Sequence, residues 1–92
     1  MPKDARKVIG SLEEKGFKRR HGGDVFFHLY VEEHKTPIFT KVSHGEKEIH
    51  DRLLGAMARQ LRLTRRGLDD LVECPLTHEG FVQHLREGGH IA

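Results

Sequence analysis

The 92-residue chain lacks the features that mark a membrane-spanning or secreted protein. No apolar run approaches the roughly 20 residues that cross a bilayer. The first residues, MPKDARKVIG, contain no apolar signal-peptide core. A single cysteine, Cys74, excludes an internal disulfide and is typical of a reducing compartment. We therefore expect a cytoplasmic protein that does not enter a membrane.

Paired metal-ligand motifs are missing as well. The chain has eight histidines, but no CxxC or HxxxH pair occurs in it. Cys74 precedes His78 by four positions and His84 follows six later, and this spacing does not match a zinc motif. We expect no metal and no other cofactor. Within the apolar segment LVECPL, Cys74 is predicted to be a buried structural residue rather than a nucleophile.

Charge is nearly balanced over the whole chain but is clustered locally. Charged residues make up 33% of the sequence, hydrophobic residues make up 36%, and the net charge is +2, which together indicate one soluble globular domain. Two segments are strongly basic: KGFKRR, with Lys15, Lys18, Arg19 and Arg20, and RQLRLTRR, with Arg59, Arg62, Arg65 and Arg66. Each segment can bind phosphate or can be ordinary solvated surface charge.

Hydrophobic periodicity predicts an α+β fold in the order α-β-β-β-α, followed by two further helices. The predicted elements are a helix over about 4–15, strands over 17–20, 25–31 and 36–42, and helices over 46–61, 63–74 and 78–87. We expect a single domain, 1–92, with helices on one face of a three-stranded antiparallel sheet. Residues 1–62 would form its α-β-β-β-α core, and residues 63–92 a helical extension.

Side-chain alternation assigns the two faces of this sheet. Pairing Val31 with Thr36 in the hairpin aligns an apolar face toward the core, formed by Val25, Phe27, Leu29, Ile38, Thr40 and Val42. The opposite face then carries Asp24, Phe26, His28, Tyr30, Phe39, Lys41 and Ser43. Rings interleaved with cations are typical of single-stranded RNA platforms. The alternative is that the C-terminal helices or a partner cover this face.

The segment SHG, at 43–45, allows a structural and a chemical interpretation. Ser43 and Glu46 are three residues apart, which is the capping-box pattern of a helix start. His44 would lie in the first helical turn, where the helix attracts phosphate and disfavours imidazolium. A neutral His44 could act as a general base, or it could be an ordinary exposed residue.

A second segment, ARQLRLTRRGLDDL, suggests two helices joined by a short turn. Its arginines could contact the phosphates of DNA, as in a helix-turn-helix protein. Simple packing of two helices is the alternative.

Several segments together resemble the HicA family of toxins from toxin-antitoxin systems, in a longer, YcfA-like branch. They are the N-terminal helix, GFKRRHGGDVFFHLY, a strand with Thr-Pro, and KVSHGEKEIHDRLLGAMARQL. The resemblance extends through MARQLRLTRRGLDDLVECPL and covers nearly the whole chain. It implies a fold like that of double-stranded-RNA-binding domains, metal-independent cleavage of messenger RNA, and a HicB-like antitoxin as partner.

The chain departs from this family where the family's catalytic histidine lies. The Gly-Ser-His motif at the start of the second strand is Gly23-Asp24-Val25 here. Another histidine would have to act, either His44 or the outward-facing His28. RNA is expected to bind through Lys18, Arg19, Arg20, Lys41, Phe26 and Tyr30. The alternative is a non-catalytic module that binds RNA or a protein.

Overall fold

The structure, a computed structural model, describes residues 2–21, 25–42, 45, 47–73 and 75–91, and only the backbone of His21. Its elements are β1 (Lys3–Asp4), α1 (Ala5–Glu14), β2 (Phe17–His21), β3 (Val25–Val31), β4 (His34–Val42), β5 (Glu48–Ile49), α2 (Asp51–Gln60), α3 (Arg65–Val72) and α4 (His78–Glu87). Strands β2, β3 and β4 form an antiparallel sheet in that order, and β1 pairs with β5. The predicted α+β class with a three-stranded antiparallel sheet is confirmed.

The helix after the sheet begins later than predicted. Helix α2 starts at Asp51, with His50 at its N-cap and no side-chain cap. The preceding Ile49 is fully buried and belongs to β5, which pairs with β1. This pairing provides hydrogen-bond partners for the backbone of a segment that was predicted to form the first helical turn. The predicted helix start at residue 46 is therefore wrong, because α2 begins at Asp51. Ser43, His44 and Glu46 themselves lie outside the described residues.

The C-terminal helices contribute to the same hydrophobic core as the sheet. Buried residues of α3 and α4 are Leu68, Leu71, Val72, Phe81, Val82 and Leu85. The rings of Phe81 and Phe17 stack with centroids 6.0 Å apart, which joins α4 to the core side of β2. Helices α1 and α2 both contact α3. The described part of these helices therefore packs on the core side of the sheet and does not cover its other face.

The β3–β4 register agrees with the prediction at one end and differs at the turn. Val25 pairs with Val42 and Phe27 with Thr40, as expected, but Val31 pairs with His34 instead of Thr36. Between the pairs His28–Phe39 and Tyr30–Lys35, three residues of β4 lie opposite one residue of β3. Because the shift is two residues, side-chain alternation is preserved and the core face is unchanged.

A proline and a threonine account for this irregularity. Pro37 has no N–H to donate to the ladder. Thr36 Oγ1 instead donates to the Leu29 carbonyl at 2.8 Å and accepts from the Ile38 N–H at 3.2 Å. These two hydrogen bonds replace ladder bonds and leave a hairpin loop of two residues, Glu32 and Glu33. The predicted loop, residues 32–35, was too long because this local rearrangement has no simple sequence pattern.

Replacing Glu32 with asparagine and Glu33 with glycine is expected to stabilise the protein. Both glutamates have positive φ, 52° and 69°, as in a type I′ turn, which favours Asn-Gly. Removing the steric cost should raise the free energy of unfolding by about 1–2 kcal/mol, measured by urea denaturation. The control is glutamine at both positions, which removes the charges but keeps Cβ. An equal gain in that control would show that charge, rather than backbone conformation, limits stability here.

Candidate nucleic-acid interface

The face of the sheet that points away from the core is built by directly paired residues. Lys18 pairs with His28 and Arg20 with Phe26 across β2 and β3. Across β3 and β4, the pairs are Phe26–Lys41, His28–Phe39 and Tyr30–Lys35. Directly opposed residues of antiparallel strands project to the same side. We call this set the outer face; it consists of Lys18, Arg20, Phe26, His28, Tyr30, Lys35, Phe39 and Lys41.

Three rings form a contiguous cluster at the centre of the outer face. The centroids of His28 and Phe39 are 5.4 Å apart, those of Phe26 and Phe39 6.4 Å, and those of Phe26 and His28 6.5 Å. Phe39 is 42% exposed and is the only exposed large hydrophobic residue among the described residues. We call Phe26, His28 and Phe39 the ring cluster. Nearby, Lys18 Nζ lies 4.4 Å from the centroid of the Tyr30 ring.

Exposed cations surround the ring cluster, and strands β2, β3 and β4 contain no aspartate or glutamate. Within the described ranges, no carboxylate forms an ion pair with Lys18, Arg20 or Lys35. Partial burial, followed by the charges of Lys35 and Arg20, lowers the pKa of His28 from its ordinary value of 6.5. The lowered pKa favours the neutral His28 imidazole at pH 7, and the face around it is positively charged.

The predicted basic strand is divided between the two sides of the sheet. Arg19 pairs with the core residue Phe27, and its guanidinium carbon is 5.8 Å from that ring centroid. Its Nη2 donates to Glu13 Oε1 of α1 at 3.1 Å. Of the residues in the sheet that were predicted to bind RNA or to act as the base, Arg19 is the exception to the outer face. Side-chain alternation alone places Arg19 on the other side of the sheet. The outer face contains the others: Lys18, Arg20, Phe26, His28, Tyr30 and Lys41.

Lys35 belongs to the outer face, although the sequence pattern predicted a loop at this position. The two-residue turn extends β4 to His34 and places Lys35 opposite Tyr30. No sequence signal revealed it, because the displaced register depends on the hydrogen bonds of Thr36. His44, the other predicted catalytic residue, and Cys74 lie outside the described residues. Val25 is partly buried against the core, as side-chain alternation predicted.

Comparison of the chain with protein-family models, with curated proteins and with solved structures finds no match. The resemblance to the HicA family therefore stays a prediction. In the part of the chain that the structure describes, no helix has the length and apolar character needed to span a bilayer.

Proposed function

We propose that this protein binds single-stranded RNA through the outer face. The observation that carries the proposal is a ring cluster enclosed by Lys18, Arg20, Lys35 and Lys41 on strands without carboxylates. Aromatic rings stack on unpaired bases, at about 1–3 kcal/mol for each base. Lysine and arginine neutralise the phosphates between those bases. A duplex would not offer its stacked bases to the rings, so the arrangement favours an unpaired strand.

The order of elements gives the proposal a structural parallel. Apart from the short strand β5 before α2, helix α1, strands β2 to β4 and helix α2 follow each other as in double-stranded-RNA-binding domains, and we assign the core of the fold to that type. Together with the resemblance to HicA toxins, this supports a role in a toxin-antitoxin system with a HicB-like antitoxin. An acidic partner protein encoded beside this chain would strengthen that assignment.

Cleavage of the bound strand, without a metal, is the second candidate function, and the position of His28 favours it. A neutral imidazole can take the proton of a ribose 2′-hydroxyl. The 2′-oxygen would attack the adjacent phosphorus, and the 5′-oxygen would leave with a proton from solvent, giving a 2′,3′-cyclic phosphate. Lys18 lies directly opposite His28 and can neutralise the developing phosphorane charge.

Replacing Lys18 and Arg20 with glutamine should weaken binding of a single-stranded RNA of about ten nucleotides. Loss of two phosphate contacts should lower the slope of log affinity against log salt by about 1.4. Fluorescence anisotropy over a range of salt concentrations measures both quantities. Arg19→Gln is the matched control, since Arg19 lies on the other side of the sheet and should leave the slope unchanged. If Lys18→Gln with Arg20→Gln also leaves the slope unchanged, the outer face is not the RNA site.

A further inference from the structure

A second basic region, separate from the outer face, lies on α2 and the turn after it. Residues 52–68 contain five arginines and no aspartate or glutamate, and every cation from residue 52 onward is arginine. Every lysine of the chain lies at residue 47 or before. Arginine presents a planar fork of donors that matches phosphate oxygens in a bidentate manner, which lysine cannot do. This composition indicates phosphate recognition more strongly than a mixed basic surface would.

Two of these arginines form a stripe on the solvent side of α2. Arg52 and Arg59 are seven residues apart, which places them on the same side of the helix, and both are exposed. The buried residues of α2 are Leu54, Met57 and Ala58. Arg59 Nη1 would lie 3.8 Å from a Cβ at Gly55, so its side chain runs back along the helix toward Arg52. Neither arginine forms an ion pair with a described carboxylate.

Arg62 lies three residues after Arg59, in the corner between α2 and α3. Its φ is 61°, a conformation in which glycine or asparagine is usual and in which other residues carry strain. His84 of α4 holds this corner, because its Nε2 is hydrogen-bonded to the Arg62 carbonyl at 2.8 Å. An exposed arginine kept at such a position costs stability, which indicates a use for its side chain. By contrast, Arg65 is neutralised by Asp51 and Asp69.

We propose that Arg52, Arg59 and Arg62, the arginine stripe, form a second RNA surface that binds the phosphate backbone. Helix α2 packs on the core side of the sheet, where Thr40 Oγ1 donates to Gln60 Oε1 at 2.6 Å, so the stripe faces away from the outer face. The inference rests on the proposed function for the identity of the ligand but not for the location of the site. A strand contacting both surfaces has to pass around the protein, whose smallest dimension is 19 Å.

The C-terminal end of the neighbouring helix disfavours base reading by a helix-turn-helix. Helix α3 would be the recognition helix, but Asp70 and Glu73, at its C-terminal end, are exposed. These carboxylates would be repelled by the phosphates on either side of a groove. The arginine stripe therefore binds the backbone without sequence preference.

The test compares two lengths of single-stranded RNA, about 10 and about 30 nucleotides, with site sizes of single-strand binders as the guide. Arg52→Gln with Arg59→Gln should weaken binding of the long strand by at least tenfold and lower its salt slope by about 1.4. The short strand, held by the outer face, should bind nearly as before. Arg6→Gln, at an exposed position of α1, is the control for loss of a positive charge.

The outcomes separate this inference from the proposed function. If the stripe variant binds both strands like the wild type while Lys18→Gln with Arg20→Gln weakens both, the inference is wrong and the outer face remains the site. If only the stripe variant weakens binding, the stripe stands and the outer face is wrong. If neither variant changes binding, both proposals fail.

Arg62→Gly separates the function of this side chain from the stability of the fold. Glycine relieves the strained backbone, so the melting temperature should stay the same or rise while the affinity for the long strand falls severalfold. Arg62→Lys, which keeps the charge and the strain, should retain most of the affinity. A glycine variant that binds as tightly as the wild type would remove Arg62 from the stripe.

Discussion

Replacing Lys15 with alanine is expected to lower the free energy of unfolding by about 3 kcal/mol, because buried acceptors lose their donor and a packed stem is removed. Lys15 is 7% exposed, and its Nζ donates to the Leu71 carbonyl at 3.0 Å and to the Leu76 carbonyl. One turn earlier, Ser11 Oγ donates to the Val72 carbonyl at 2.8 Å. Helix α3 ends at Val72, so its C-terminus is capped by the side chains of Ser11 in α1 and of Lys15, the C-cap residue of α1.

Two variants show which part of Lys15 matters. Lys15→Met keeps most of the apolar stem and removes the ammonium, so it should cost about 2 kcal/mol through unpaired carbonyls. Lys7, on the same helix, forms an exposed ion pair with Glu73 at 2.7 Å. Lys7→Ala should cost less than about 1 kcal/mol, as surface ion pairs do. Urea denaturation measures the free energy of unfolding of Lys15→Ala, Lys15→Met and Lys7→Ala. A loss for Lys15→Ala no larger than that for Lys7→Ala would show that α3 does not depend on this cap.

The end of α1 makes one further contact with the C-terminal part of the chain. His78 Nδ1 lies 2.6 Å from the Lys15 carbonyl and donates to it. Gly16 has a φ of 96°, and a Cβ there would lie 2.5 Å from the His78 ring. Glycine is therefore required both for the backbone conformation and for the approach of α4. Residues after 62, expected as an extension, thus share hydrogen bonds and core with α1 and β2.

The sequence predicts well what depends on periodicity. The alternation in VFFHLYV placed Phe26, His28 and Tyr30 on one side of the sheet, and the structure places them there. The same alternation separates Arg19 from Lys18 and Arg20, a consequence that grouping them as one basic segment overlooked. Period-based reasoning works here because the register shift is two residues and leaves each face intact.

The sequence does not predict what depends on contacts between distant residues. The burial of Lys15 arises from carbonyls 56 and 61 positions later in the chain. The late start of α2 arises from pairing of Ile49 with Lys3. Neither contact has a local sequence pattern, and each overrides a local preference. Lysine side chains usually prefer solvent, and the segment beginning at Glu46 has a sequence that favours a helix.

Replacing His28 with alanine is expected to lower the kcat of RNA cleavage by about 10²–10⁴-fold, because a general base is removed. His28 lies between Lys18 and Phe39 on the outer face. His28→Ala should also weaken binding, because one ring of the cluster is lost, but by a smaller factor. His28→Gln, which keeps a polar side chain without a base, separates the two effects.

His44→Ala is the matched comparison, since the sequence alone favoured His44 as the base. That preference relied on a helix N-terminus at His44, and the helix begins at Asp51. We therefore expect His44→Ala to keep its cleavage rate while His28→Ala loses it. A loss confined to His44→Ala would move the reaction to the SHG segment and leave His28 as a binding residue. An RNA-degradation assay with both variants and the wild type gives the answer.

The pH dependence of cleavage provides an independent test of His28. The pKa of His28 is lowered from 6.5 in the free protein. The neutral imidazole, which can act as a base, therefore predominates at every pH above this lowered pKa. The value of kcat/KM should then be constant near pH 7 and fall as pH decreases through that lowered pKa.

Bound phosphates favour imidazolium and raise the pKa of His28, so kcat should begin to fall at a higher pH than kcat/KM. Affinity should change in the opposite direction, because protonation of His28 adds a positive charge to the outer face. A cleavage rate that rises as pH decreases below 6.5 would exclude neutral His28 as the base.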